Sequence, residues 1–471
     1  MKIPFISLLA TLSSAIAAQV NILGINDMHA NIDDLPQLAT FMKVERAADP
    51  DVLLFSAGDN RTGNPYVDNG DQPGVPMIHL MNLLGFDLST FGNHEFDSGL
   101  VSLRNMLDTA NFNFVCANVQ ADGGAALNLK PYHIFERDGV RIGVLGLVQT
   151  GTNGLPDIHP DHARGLKFRS PFETVRDYTY LREQCDVLIL LTHLGFEDEQ
   201  KLATLFPEAD AIIGGHSHTR VEKEFRVGNV IITQAENKVK YITRLTFEVE
   251  DGKIISKKAE LVPLRTLPQD ADMLAAVAKA KNNPYMLREL TTVESPIDRR
   301  ESLGCLMADA MRAVTGTDIG VINIGGVRLD TFPPGPMTVE DCFRLDPFGN
   351  KLVTLSLTGR ELIDFLNAVP ASDHHGAPCV SGLRYKATKP AGELKAMQIT
   401  EITLEDGTPI DPAARYTMAT NSYLMSTNPV LPADPGTAQQ IDGTAALIKF
   451  LEGKTSIDYS TIKRADVTIV P

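Results

Sequence analysis

The chain has 471 residues, 43% hydrophobic and 22% charged, with 59 Asp and Glu against 43 Lys and Arg for a formal net charge of −16. That composition supports sizeable buried cores in two or three domains. The acidic balance argues against polymeric nucleic acid and anionic membranes, whose phosphate surfaces need clustered Lys and Arg, but leaves room for a small phosphate-bearing ligand.

Residues 1–18 read as a secretory signal peptide: Lys2 is the charged start, Ile3–Leu12 the apolar stretch, and Ala15, Ala17 and Ala18 the small cleavage-side residues. No later run approaches the ~18 apolar residues of a membrane span. The expectation is an exported, periplasmic or extracellular protein. Export permits disulfides, yet five Cys are too few for a disulfide framework and an odd number leaves one thiol unpaired. Cys116 and Cys185 sit in apolar strand-like runs and read as buried, inert thiols.

From about 20 to 215, short apolar runs alternate with amphipathic stretches. VNILGIN, DVLLFSAG, DLSTFGN, FNFVCANV, RIGVLGLV, DVLILLTH and DAIIGGH are expected strands, and 36–47 and 171–184 expected helical pieces. That alternation predicts α/β layers around a buried sheet. Ala271–Lys281 is rich in helix formers, follows Asp270 as N-cap and ends before Asn282-Asn283-Pro284. It reads as a helical linker. A second mixed α/β pattern begins near 291, with a helix over 302–314 and strands at DIGVINI and LVTLSLT. His374 and His375 fall in a Pro/Gly/Ser-rich loop and read as solvated.

Polar residues gather where the first-half strands end. Asp27 and His29 follow the first, Asp59 the second, and Asn93 and His94 the third; His193 closes another, and His216 and His218 follow the last. Ligand sites in α/β proteins collect at strand carboxyl ends, so these segments converge on one crevice. Imidazole, carboxylate and amide donors without thiolate suit Mn, Zn, Fe, Co or Ni. Seven such ligands exceed what one tetrahedral ion needs. They suffice for two ions sharing a carboxylate, an arrangement that activates hydroxide and clamps an in-line phosphoryl displacement. Singly, each motif is ordinary turn chemistry; the information lies in their order.

Asp-x-His, Gly-Asp, Gly-Asn-His-Glu, Thr-His and Gly-Gly-His-x-His in that order resemble the calcineurin-like metallophosphoesterases. Asn-Asp-x-His-Ala, Gly-Asn-His-Glu-Phe-Asp and the second domain resemble the secreted 5'-nucleotidase / UDP-sugar hydrolase branch. The resemblance implies a four-layer α/β/β/α domain over 19–262, a helical linker over 263–290, and a smaller mixed α/β substrate-binding domain over 291–471. It implies one divalent ion (Mn, Zn, Co or Fe) on Asp27, His29, Asp59 and His218, and a second on Asp59, Asn93, His193 and His216. His94 and Asp97 match the catalytic pair: a cationic imidazole at the phosphoryl oxygens, oriented by a carboxylate that favours its charged form. Asp97 separates the chain from the 2',3'-cyclic phosphodiesterase relatives, which often carry Asn there.

RRESLGCLMADAMR, NIGGVRLD, GPMTVEDCFRLDPFGNKLVTLSLTGREL, VSGLRY and YTMATNSYL are similar to the family's C-terminal domain, which binds the nucleoside and rotates to deliver the phosphate. With no Trp in the chain, Phe348 and Tyr423 match the positions that stack a base, a contact of ~1–3 kcal/mol each. Asn323 and Arg328 match residues that touch ribose or an anionic group, and the planar fork of Arg328 suits a phosphate or carboxylate. Arg300 keeps the position before Glu301 in a shortened Arg-x-Arg-Glu. Where many members carry Gly-Gly-Asp-Gly with a ribose-binding Asp, this chain reads Met425-Ser426-Thr427-Asn428-Pro429. The metal centre therefore matches the family better than the ribose pocket does.

The expected protein is a secreted dimetal phosphohydrolase acting on nucleoside 5'-phosphates or related small nucleotides and phosphate esters. A 2',3'-cyclic-nucleotide phosphodiesterase with 3'-nucleotidase action is the alternative of the same chemistry. A non-catalytic exported nucleotide-binding protein is the alternative of another class.

Overall fold

The computed structural model describes residues 17–69, 71–122, 127, 129–372, 376–390 and 397–470. Most of the expected leader and the His374-His375 pair lie outside the described residues. Ala18, the last residue of that leader, already pairs with Val249 as the first residue of a strand.

Twelve strands build two six-stranded sheets over the first 263 residues. They are β1 (Ala18–Ile25), β2 (Leu53–Ser56), β3 (Leu88–Ser89), β4 (Asn113–Phe114), β5 (Tyr132–Arg137), β6 (Val140–Val148), β7 (Val187–His193), β8 (Ala211–Ile213), β9 (Phe225–Val227), β10 (Val230–Thr233), β11 (Tyr241–Glu250) and β12 (Lys253–Pro263). One sheet runs β12-β11-β1-β2-β3-β4 and the other β9-β10-β8-β7-β6-β5.

The period-two alternation of strand side chains explains the layering. Ile22 and Phe55 from one sheet meet Val187, Ile189, Leu191 and Ile213 from the other in one buried core. Their sequence neighbours point outward. Leu23, Ile25 and Leu54 pack with Leu38 and Met42 of the helix Leu35–Ala48. Leu188, Leu190 and Ile212 pack with Leu202 and Ala203 of the helix Phe196–Leu205. Strands buried on both faces read as continuous apolar runs, as observed. The result is the expected α/β/β/α stack. Gly24 permits close sheet approach, since a Cβ there would lie 2.7 Å from Ile213.

The stretch 171–184 departs from the expected continuous helix. Pro171–Thr174 makes one α-turn, and Val175–Glu183 is a 3₁₀ stretch broken at Tyr178. The β-branched Thr174, Val175 and Thr179 crowd a helical turn. The later helix forms over Ala271–Ala280, with the Asp270 side chain accepting from the Met273 amide at 3.0 Å.

Beyond it, a five-stranded sheet runs β15 (Cys379–Ser381), β13 (Ile319–Ile322), β16 (Arg415–Asn421), β14 (Lys351–Thr358) and β17 (Thr437–Asp442). The helix Arg300–Thr315 packs beside β13. The Tyr66 hydroxyl bonds Glu340 at 3.0 Å and Lys238 Nζ bonds the Arg328 carbonyl at 3.2 Å, so the two halves touch around the site. Among the described residues, no helix is long and apolar enough to cross a membrane.

All five cysteines are buried, and none is joined to another by a disulfide. Burial pushes the Cys116 thiol up to about 12. Thiolate is the reactive form. Ellman's reagent is therefore expected to find no fast-reacting thiol in the native protein and all five after denaturation; a rapid native reaction would contradict this packing.

Candidate active site

The two sheets present their strand ends side by side. Asp27 and His29 leave β1, Asp59 leaves β2, Asn93 and His94 leave β3, His193 ends β7, and His216 and His218 leave β8. The turns that aim them are unusual. Asp27, His29, Asp59, His216 and His218 all adopt positive φ, between 46° and 78°. A non-glycine residue held there costs on the order of 1–3 kcal/mol and needs surrounding support. Glu95 supplies some of it, accepting from the amides of Gly92, Asp59 and Asn60 at 2.6, 2.9 and 2.8 Å. Gly92 is required by contact, because a Cβ there would lie 2.1 Å from Asp59 Oδ1.

The ligand-type atoms converge. Asp59 Oδ2 lies 3.1 Å from His193 Nε2 and 3.8 Å from His29 Nε2. Asp27 Oδ1 is 3.3 Å from His218 Nε2. His216 Nδ1 and Asn93 Oδ1 meet at 3.1 Å. Burial would push the Asp59 carboxyl up, but His193 and His94 outweigh it and hold the group well below the usual range. Burial also opposes protonation of His193, yet Asp59 and Asp27 push it up to about 10.

The histidine tautomers test whether a metal fits. His29 Nδ1 faces the Thr62 carbonyl at 3.1 Å, and His193 Nδ1 faces the Ala57 carbonyl at 2.7 Å. With a proton held there, each ring can offer Nε2 to a cation, His193 by giving up the second proton that Asp59 and Asp27 otherwise favour. His193 Nε2 is buried without a hydrogen-bond partner. His29 Nε2 and His218 Nε2 face each other at 2.9 Å. The Asn237 amide nitrogen sits 2.9 Å from His218 Nδ1 while Asn237 Oδ1 has no partner. Turning that amide over satisfies the oxygen, fixes the proton on Nδ1 and frees Nε2. Ring nitrogens facing one another and two ionised carboxylates are what a cation would satisfy, and three residue triads among the described residues, Asp27-His29-His218, Asp27-Asp59-His193 and His29-Asp59-His94, have metal-holding spacing.

His94 stands at the edge of this cluster. Its Nδ1 meets Asp97 Oδ2 at 2.7 Å and its Nε2 lies 3.9 Å from Asp59. Burial works against its charge, but Asp97 and Asp59 outweigh it and raise its pKa. Thr62 Oγ1 donates to the same Asp97 oxygen at 2.7 Å and holds the pair in place.

A cleft of about 860 Å³ opens over these groups. Asp59, Asn93, His94, Asp97, His216 and His218 line it from the first domain, and Asn323, Arg328, Phe348 and Tyr423 from the second. Asp27, His29 and His193 lie beneath its surface, each touching another member of the cluster. Arg300 is not among the lining residues; its Nε donates to the Val327 carbonyl at 2.7 Å, behind Arg328. Arg328 Nη2 lies 3.2 Å from both ring nitrogens of His29, hence over the ring, and its guanidinium is 5.7 Å from the Phe348 centroid. Phe348 in turn lies 5.8 Å from His94. Base platform and phosphate end therefore adjoin.

Sequence reasoning missed one wall of this cleft. Asp157, Ile158, His159 and His162 line it from a loop that runs into a 3₁₀ turn over Pro160–Ala163, with Asp157 Oδ2 3.5 Å from His216 Nε2. The segment has no periodicity to read; DIHPDH was its sole signal. Glu199 was missed too. It is buried, burial pushes it up to about 7, and it accepts from the Gly215 amide at 3.1 Å, bracing the turn before His216.

Comparison with known proteins follows the same division. The calcineurin-like phosphoesterase family profile matches residues 20–220, and the 5'-nucleotidase C-terminal domain profile matches residues 276–432. The chain is 28% identical over 435 residues to the silent protein UshA(0) of Salmonella typhimurium, spanning 79% of this chain and 77% of that one. It is 28% identical over 378 residues to the 5'-nucleotidase of Vibrio cholerae, 68% of each chain. The fold is similar to that of a 5'-nucleotidase precursor from Thermus thermophilus, with a TM-score of 0.84 at 23% identity over 96% of this chain and all of that one. The two matched domains, in this order and over this fold, make the chain a member of the 5'-nucleotidase family of two-domain metallophosphoesterases, metal-dependent hydrolases of phosphoric esters.

Proposed function

We propose that the chain is an exported phosphohydrolase with a two-metal centre, releasing phosphate from nucleoside 5'-phosphates or related nucleotides. The observation that carries this reading is the shared cleft, where metal-ligand chemistry from the first domain faces Arg328, Phe348 and Tyr423 of the second. In this reading Asp27, His29, Asp59 and His218 hold one divalent ion, and Asp59, Asn93, His193 and His216 the other. When bound, such a pair supplies Lewis-acid activation of water and of phosphoryl oxygens.

The remaining work falls to this chain's own groups. Asp97 keeps His94 charged by accepting a hydrogen bond from its Nδ1–H, so Nε2–H faces the phosphoryl oxygens. Arg328 adds a fixed positive charge. Asn323 faces the sugar, and Phe348 and Tyr423 hold the base. Residues 291–471 thus select the leaving group, while 19–262 carry the chemistry. The leader at 1–18 would send the protein to the periplasm or beyond.

EDTA is expected to stop phosphate release and Mn or Co to restore it. AMP, UDP-glucose, 2',3'-cAMP and bis-p-nitrophenyl phosphate, compared with reconstituted enzyme, decide the substrate. Fastest release from AMP supports the reading. Because the Gly-Gly-Asp-Gly stretch is replaced at 425–429, a second reading is kept: fastest turnover of 2',3'-cAMP would assign the cyclic phosphodiesterase activity instead.

Phe348→Ala tests the base platform. Losing one stacking face, worth ~1–3 kcal/mol, should raise KM for AMP about 5- to 150-fold and leave p-nitrophenyl phosphate unaffected. Equal losses on both substrates would assign Phe348 to packing.

A further inference from the structure

A second cavity, of about 410 Å³, lies on the other side of Arg328. His29, Asn64 and Lys238 line it from the first domain, and Arg328 and Arg344 from the second. Its charge is lopsided. Asp33 is the one carboxylate among its lining residues, and Lys281 Nζ already holds it at 3.0 Å. Asp330, an acid outside the lining that acts on Lys238, is exposed. Lys238 Nζ bonds a backbone carbonyl, and Arg328 rests on a histidine ring. Among the described residues Arg344 makes no ion pair or side-chain hydrogen bond, and it stands close enough to repel Lys238.

Three cations brought together in a partly closed space repel one another unless an anion joins them. The donors differ usefully: two planar forks and one point charge, approaching from separate elements. That set suits a compact tetrahedral oxyanion. No Phe or Tyr lines it, and Arg328 already covers its one ring, the His29 imidazole, so nothing is left to hold a base. Because the cations come from both domains, a bound oxyanion would tie them together.

We propose that this cavity is a binding site for inorganic phosphate, distinct from the cleft although His29 forms part of its wall, through which the product restrains the enzyme while nucleotide occupies the cleft. The binding part stands alone; the product-inhibition part rests on the proposed reaction.

Two measurements on the full chain test it. Calorimetric titration of inorganic phosphate into EDTA-treated, dialysed protein should reveal a site. Hydrogen bonds to charged groups are worth about 1.5–3 kcal/mol, so Arg344→Ala and Lys238→Met should each weaken it at least about tenfold. Asn350→Ala, which alters the cleft alone, should leave it unchanged. With holoenzyme and AMP, phosphate should lower kcat as well as raise KM, and Arg344→Ala should abolish the effect on kcat while retaining initial rates without phosphate. No binding by the native chain, or equal affinity in native, Arg344→Ala and Lys238→Met proteins, overturns the site. Purely competitive inhibition with binding intact overturns the restraint. Should AMP not be a substrate, the titration still decides the site.

Discussion

Asp59→Ala is expected to abolish turnover, lowering kcat by at least about 10³-fold, and to cost the protein metal. Asp59 Oδ2 reaches both sides of the cluster, 3.1 Å from His193 and 3.8 Å from His29. Its other oxygen is committed to the His94 amide at 2.9 Å. Removal therefore takes away the shared carboxylate and loosens the loop carrying His94. Asp59→Asn separates charge from shape: it keeps the size and one oxygen, and should lose metal almost as badly. Metal content by mass spectrometry, read beside AMP turnover, checks both variants. Full metal loading and unimpaired turnover in Asp59→Ala would remove the shared carboxylate from the mechanism.

His94 is the second large effect. Its replacement by Gln should lower kcat about 10²- to 10⁴-fold with metal content retained. Asp97→Asn gives a subtler signature. The pKa of His94 is raised in the folded protein because Asp97 and Asp59 outweigh burial. The working form is the cation, so activity is present below that pKa and falls as pH rises through it. Without the Asp97 charge, the alkaline limb should move to lower pH. A pH–rate profile that keeps its alkaline limb in Asp97→Asn would assign that limb to another group.

What was legible in the sequence follows from what has a period. Two buried sheets announced themselves as continuous apolar runs, because residues such as Leu188 and Ile189 serve cores on opposite faces. Asp27, Asp59 and His193 were legible because each directly ends such a run. The wall at Asp157–His162 was not, since its regular structure is one short 3₁₀ turn over Pro160–Ala163 and its position depends on contacts such as the Asn93 bond to the Asp157 carbonyl at 3.2 Å. Glu95 stood in a recognised motif, but its task of gathering three amides is tertiary. Arg300 matched a family position, yet its guanidinium turns to the Val327 carbonyl instead of the cleft.

Strand β1 lies between β2 and β11, and pairs with residues 243–249 of the latter. The chain must therefore be made past its midpoint before the sheet carrying Asp27 and His29 can close. Until then β1 is an unpaired edge, open to pairing with another chain. Closure over more than two hundred residues is slow in kinetic terms. A nascent chain is thus most prone to aggregate between the emergence of β2 and that of β11. A truncation ending before residue 241 should accumulate as insoluble protein with no metal-binding capacity.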